Sequence, residues 1–175
     1  TLYKYLKQQG YEDSFLKDTG LVTLDEARGG RDKFWNRAMF PIMDANNRVI
    51  AFGGRVMGEG EPKYLNSPET KVFDKSRNLY GLNYAKHSRK PYMLICEGYM
   101  DVIAMHQAGF NSAVATLGTA ITPSQARLIG RMGKSEVILS YDSDGPGQKA
   151  ASRGINLLTE AGVKARVLNM TGAKD

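Results

Sequence analysis

Tyr92-Met93-Leu94-Ile95-Cys96-Glu97-Gly98-Tyr99-Met100-Asp101 is the stretch on which the fold turns. Its first five residues are largely apolar and predict a strand, and Glu97 falls at the strand's carboxyl end. Gly98 opens a helix through Ala108, with Val102, Ile103 and Met105 on its apolar side. The same unit recurs downstream. Ser112 to Thr116 predicts a second strand, and Pro123, in a first turn, opens a helix through Arg131. Glu136 to Tyr141 predicts a third strand and Gly145 to Ala161 a third helix, ended by Gly162; Lys164 to Met170 predicts a fourth strand. Strands separated by helices of this length imply right-handed crossovers and a largely parallel sheet.

In an open α/β sheet, ligands collect outside the carboxyl ends of the strands. Glu97 lies there, as do Asp142 and Asp144 after the third strand and Asp175 beyond the fourth. Carboxylates converging on one edge repel unless a cation neutralises them. Hard oxygen ligands without a nearby His or Cys favour Mg²⁺ or Mn²⁺ over zinc. Such a cluster suits phosphoryl transfer. Asp142 or Asp144 could equally cap the helix that Gly145-Pro146 opens. Asp101 is either a ligand through water or a favourable charge at a helix N-terminus. Gly118-Thr119, after the second strand, is either a simple turn or an approach to a nucleotide.

Upstream the pattern differs. Residues 1–27 read as short helices, with Leu2, Tyr5 and Leu6 at helical spacing and Leu16, Leu21, Val22 and Leu24 around Gly20. Ala38 to Met43 and Val49 to Phe52 flank Asp44-Ala45-Asn46-Asn47-Arg48, which predicts a hairpin. Gly53-Gly54 before Arg55 predicts a bulge or a close backbone approach. Gly58 to Asn78 is rich in loop formers, yet its interleaved Tyr64, Leu65, Val72 and Phe73 argue for order. Trp35 is expected to be a buried anchor and Tyr64 a strand-packing aromatic. Cys96 reads as core, and His87 and His106 as structural. The α/β alternation starts after Ser88-Arg89-Lys90-Pro91, which divides the chain into residues 1–89 and 90–175.

The chain has 175 residues and a net charge of +6. Between Arg28 and Lys90 stand 13 Lys/Arg against 6 Asp/Glu, while the remainder carries 11 basic and 12 acidic residues. A positive field confined to one stretch favours phosphate backbones, with binding that weakens in salt. One cysteine excludes an internal disulfide and a multi-thiolate zinc site. No apolar run approaches the roughly 20 residues of a membrane span. The first residues lack the apolar core of a signal peptide, so a cytosolic compartment is expected. The missing initiator Met leads to the expectation of an excised piece of a longer chain.

Three motifs now combine: Ile95-Cys96-Glu97-Gly98-Tyr99-Met100-Asp101-Val102, Ala115-Thr116-Leu117-Gly118-Thr119-Ala120, and Tyr141-Asp142-Ser143-Asp144-Gly145-Pro146-Gly147. Together they resemble the toprim domain of bacterial replicative DNA primase. Arg37 to Ile42, Gly53-Gly54-Arg55, Pro62 to Thr70 and Phe73 to Gly81 resemble the amino-terminal subdomain of that family's polymerase core. The resemblance implies a Rossmann-like α/β toprim domain with a parallel sheet, preceded by a smaller basic α+β subdomain that lines the groove for template and nucleotides. It implies a nucleotidyltransferase, a DNA-directed RNA polymerase that makes short RNA primers on single-stranded DNA from ribonucleoside triphosphates in DNA replication. Glu97, Asp142 and Asp144 would be catalytic, holding Mg²⁺ or Mn²⁺ together with Asp175 and Asp101. Arg55, Lys63, Asn66, Lys75, Arg77, Gly118 and Thr119 would contact nucleic acid or nucleotide. The family's third acidic motif is Asp-Pro-Asp, and Asp175 matches its first member. The family's zinc site lies in a separate domain absent from this chain, and so does the domain that docks on the replicative helicase. An alarmone inhibitor and a bacterial cytoplasmic, replisome-associated setting belong to the same expectation. The alternatives are a toprim-type metal-dependent nuclease or topoisomerase, and a fragment that only binds nucleotide and single-stranded DNA.

Overall fold

The computed structural model describes residues 1–118, 120–141 and 145–168. They pack as two compact units: Thr1–Ile42 with Val49–Asp74, and Met43–Arg48 with the described residues from Lys75 onward.

The first unit opens with helices α1 (Leu2–Gln8) and α2 (Asp13–Asp18). The Asp32 carboxylate accepts hydrogen bonds from the backbone N–H groups of Leu2 and Tyr3, both at 2.8 Å, and so satisfies donors that α1 leaves free. Strands β1 (Val22–Asp25) and β2 (Gly29–Asp32) pair antiparallel. Helix was expected as far as residue 27, and over residues 22–25 that expectation is corrected to strand. Val22 and Leu24 are two apart and fit a strand as well as a helix; the Asp25 side chain decides, accepting from the N–H groups of Ala27 and Arg28 at 2.9 Å to make the turn.

Strands β3 (Arg37–Met43), β4 (Val49–Val56) and β5 (Tyr64–Asn66) form a sheet in that order. The predicted hairpin joins β3 to β4. The loop-rich tract is ordered by β5 and by a short 3₁₀ turn, Lys75–Arg77. Leu16, Val22, Ile42, Ala51 and Phe73 are buried in this unit. Trp35 is not: it is 74% exposed. It sits beside Asn36, whose φ of 51° and paired hydrogen bonds with the Met57 backbone (2.9 and 3.0 Å) make a tight turn, and the turn carries the indole outward.

The second unit begins at the hairpin tip, where Asn83 donates to Asn47 Oδ1 at 2.8 Å and the Lys86 ammonium to the Ala45 carbonyl. After α3 (Leu82–Ala85) come β6 (Tyr92–Cys96), α4 (Tyr99–Gln107), β7 (Ala113–Ala115), α5 (Pro123–Gly130), β8 (Glu136–Ser140), α6 (Gly145–Glu160) and β9 (Ala165–Val167). The sheet is parallel with order β7-β6-β8-β9. Central β6 is buried on both faces, as its apolar run predicts. Met93, Ile95, Val114, Val137 and Leu139 face one core with Ala126 and Ile129 of α5 and Ala151 and Leu158 of α6. Leu94, Cys96, Ala113 and Ala115 face the other with Val102 of α4. Gly154 lets α6 close on the sheet, since a Cβ there would stand 3.1 Å from Leu139 Cδ1. Among the described residues no helix is long and apolar enough to cross a membrane.

Candidate functional site

Register builds the site. Cys96 pairs with Ala115 of β7 and with Ser140 of β8, so the residues that follow, Glu97, Thr116 and Tyr141, form the next row at the carboxyl edge. Side chains alternate along a strand, so this row shares the face of Ile95, Val114 and Leu139. That face carries α6, and all three residues line one cavity of about 310 Å³ together with Gly118, Pro146 and Gly147. The chain leaves β6 toward β7 and then crosses back to β8, so the cavity lies at the topological switch point where open sheets bind ligands. Gly118 turns the chain with φ 85°, a left-handed conformation that disfavours any residue with a Cβ. The first turn of α6 presents its positive dipole end to the same space.

Glu97 is exposed in this cavity, and Thr116 is buried. Asp101 accepts from the Gly98 N–H at 2.9 Å and thereby caps α4. The Cys96 thiol is buried on the opposite face, and burial, reinforced by Asp101, pushes it up to about 12, so it is not a thiolate ligand at neutral pH. Burial, then the Glu97 charge, pushes the Tyr141 phenol up to about 12 as well, which keeps its proton in place. His106 Nε2 lies 2.9 Å from the Ala113 carbonyl oxygen, a structural contact. Among the described residues the lining offers an exposed carboxylate and neither thiolate nor imidazole, the donor chemistry of a hard divalent cation. Among the described residues no group of three or more His, Cys, Asp or Glu gathers at one point. Thr119, Asp142, Asp144 and Asp175 lie outside the described residues.

The basic residues fall in two places. In the first unit, Arg55 of β4 stands opposite Tyr64 of β5, and Gly53 opposite Asn66. The Arg55 guanidinium lies 5.8 Å from the Tyr64 ring centroid. Tyr64 is thus on a strand, as expected, but 42% exposed and under a cation rather than in a core. Arg37 fastens this edge by donating to the carbonyls of Gly54 at 3.2 Å and Lys63 at 3.4 Å. Arg55, Lys63 and Asn66 therefore share one short two-stranded edge.

Lys75 and Arg77 sit on the 3₁₀ turn of the second unit, held by two residues that sequence reasoning missed. Gln125 is fully buried and donates to the backbone carbonyls of Lys75 at 3.0 Å and Asn78 at 2.8 Å. Thr122 donates to the Ser76 carbonyl at 2.6 Å. The pair also forms a capping box for α5, with the Thr122 N–H donating to Gln125 Oε1 at 3.0 Å. Pro123 marked the helix start; the capping box of Thr122 and Gln125 and the second use of their side chains were not read.

The parallel sheet with a glutamate directly after β6 is an open α/β domain of doubly wound type, and the family model described as Toprim-like matches residues 94–175. The model of the DNA primase catalytic core, N-terminal domain, matches residues 1–86. A DNA primase of Clostridium acetobutylicum is 46% identical over 175 residues, covering 99% of this chain and 29% of the relative. The Aquifex aeolicus primase structure, comprising zinc-binding and RNA polymerase domains, superposes with a TM-score of 0.87 at 38% identity, over 97% of this chain and 42% of that one. A primase catalytic domain bound to single-stranded DNA matches with a TM-score of 0.87 at 40% identity, over 97% of this chain and 55% of that one. The chain belongs to the bacterial DNA primase family and represents part of its catalytic core. It spans less than a third of the Clostridium acetobutylicum primase (29%) and of a Deinococcus radiodurans primase (31%).

Proposed function

We propose that this chain is the template- and nucleotide-handling part of a primase that joins ribonucleoside triphosphates into short RNA on single-stranded DNA. The observation that carries it is the row Glu97, Thr116 and Tyr141 on one cavity at the switch point of a toprim sheet. In the reaction, the 3′-hydroxyl oxygen of the growing strand attacks the α-phosphorus, and the bond to the pyrophosphate breaks. Glu97, with Asp142, Asp144 and Asp175, would hold Mg²⁺ or Mn²⁺. A divalent cation, when bound, supplies charge neutralisation for the triphosphate and eases deprotonation of the hydroxyl. Asp101 orients the Gly98 turn that carries Glu97, through the hydrogen bond at 2.9 Å. Gly118 and Thr119 would admit the nucleotide close to backbone. Arg55, Lys63 and Asn66 on the first unit, and Lys75 and Arg77 on the second, would bind phosphates by charge and hydrogen bonding. Among solved relatives, one primase catalytic domain is bound to single-stranded DNA, which supports that partner here.

On this reading zinc and helicase docking belong to other domains of the wider protein in a bacterial replisome, and an alarmone would act as an inhibitor of the synthesis. The test is template-dependent synthesis by the full-length protein, given single-stranded DNA, labelled ribonucleoside triphosphates and Mg²⁺ or Mn²⁺. Short RNA is expected on a gel, and Glu97→Gln should reduce it by about 100-fold or more. Undiminished RNA from that variant would overturn the role of Glu97, and nicked template without RNA would point to a nuclease instead.

A further inference from the structure

The polymerase reading leaves Tyr141, which lines the cavity, without a task. Tyr141 is 7% exposed, and its hydroxyl has no hydrogen-bond partner among the described residues. Buried hydroxyls are seldom left so, because burial removes their water without replacing it. The ring itself is explained by packing: Tyr141 belongs to the core with Leu139 and Ala151. A phenylalanine would fill that space equally well. The hydroxyl needs a separate account, and the residue that carries it lines the cavity.

Tyr141 follows β8 directly and lines the cavity with Glu97, Thr116 and Gly147. The first turn of α6 forms another wall through Pro146 and Gly147. A neutral O–H donor beside a helix N-terminus favours an oxyanion, and the nearby carboxylate implies that this anion arrives with its own cation. A triphosphate accompanied by a divalent ion has that composition. We propose that the Tyr141 hydroxyl is a triphosphate-binding group, donating its hydrogen bond to a non-bridging phosphate oxygen of the incoming ribonucleotide. This rests on the polymerase reading and assigns one further residue to its substrate site.

The substitution Tyr141→Phe in the full-length protein isolates the hydroxyl. Three quantities are to be measured: thermal unfolding with and without Mg²⁺ and GTP, equilibrium binding of a fluorescent ribonucleoside triphosphate, and steady-state primer synthesis. Without nucleotide, the variant should unfold at the same or a higher temperature, since it loses an unpartnered polar atom. With nucleotide, its stabilisation should shrink, and its Kd for the triphosphate should rise about tenfold. The rise in KM should exceed the fall in kcat. Affinity for a single-stranded oligonucleotide alone should not change. Equal triphosphate affinity in variant and parent overturns the inference, as does an equal loss of affinity for the oligonucleotide. A parent protein that binds no triphosphate overturns the polymerase reading itself, a result distinct from either.

Discussion

The two units carry their candidate functional residues in opposite ways. In the second, a buried parallel ladder fixes the row: once Cys96 pairs with Ala115 and Ser140, Glu97, Thr116 and Tyr141 have no choice of neighbours. In the first, Arg55 and Lys63 are exposed and Asn66 half-buried on a short edge set by three residue pairs between β4 and β5, with Arg37 fastening it. The difference is one of coupling. A site built on core packing shares its free energy with the fold, whereas a site built on an exposed edge can change with little effect on stability. A change to the buried framework should therefore damage stability and binding together, and a change on the edge should damage binding alone.

Gln125 is the sharpest test of the coupled case. Replacing it by Leu keeps the volume but removes the donors that reach the carbonyls of Lys75 and Asn78, and it also breaks the capping box with Thr122. Loss of about 2 kcal/mol in urea unfolding is expected, because buried acceptors are left unpaired. The turn that presents Lys75 and Arg77 should loosen at the same time, so affinity for single-stranded DNA should fall several-fold. A Gln125→Leu protein of unchanged stability would show that the buried network is not what holds this turn.

Arg55 tests the uncoupled case, with a smaller effect. Arg55→Ala removes an exposed cation and its contact with Tyr64, and unfolding should shift by no more than about 1 kcal/mol. Affinity for single-stranded DNA should weaken about three- to tenfold, and the salt dependence should become shallower by about 0.7 in slope, the share of one phosphate contact on a single strand. If instead the salt slope stays fixed, Arg55 acts through Tyr64 and not through phosphate.

The same contrast explains what could be read from the sequence. The α/β alternation, the edge position of Glu97 and the hairpin around Asp44 were legible because each rests on local periodicity or turn chemistry. The strand at Val22–Asp25 was not, since four residues carry too little pattern to separate period two from helical spacing. Trp35 misled because residue type predicts burial only on average, and here the turn at Asn36 decides where the indole goes. Gln125 and Tyr141 were missed for a common reason. Each is an ordinary helix-cap or core residue by sequence, and its further role exists only in contacts with segments distant along the chain.

The hairpin tip separates exposure from membership of a unit, because Met43–Arg48 packs with the second unit yet the hydrogen bonds that half-buried Asp44 accepts lie at the surface. The backbone N–H of Arg48, and then that of Asn46, hold the Asp44 carboxyl below its ordinary value of 3.8; Asp44 Oδ1 accepts from them at 3.0 and 2.7 Å. A carboxyl with a depressed folded-state pKa adds stability that is fully present above the unfolded value and is lost as pH falls through the lower folded value. Asp44→Asn keeps one oxygen acceptor but cannot titrate. The stability difference between parent and variant should therefore be steady near neutrality and shrink as the pH drops below about 4. Urea unfolding of both proteins across that range measures it, and the effect should be smaller than those at Gln125 and Arg55, since the hydrogen bonds it accepts are exposed. Affinity for single-stranded DNA should follow exposure and stay unchanged in this variant at neutral pH. A large stability loss at pH 7 would mean that membership of the packed unit, and not burial of the side chain, governs how strongly a residue is coupled to the fold.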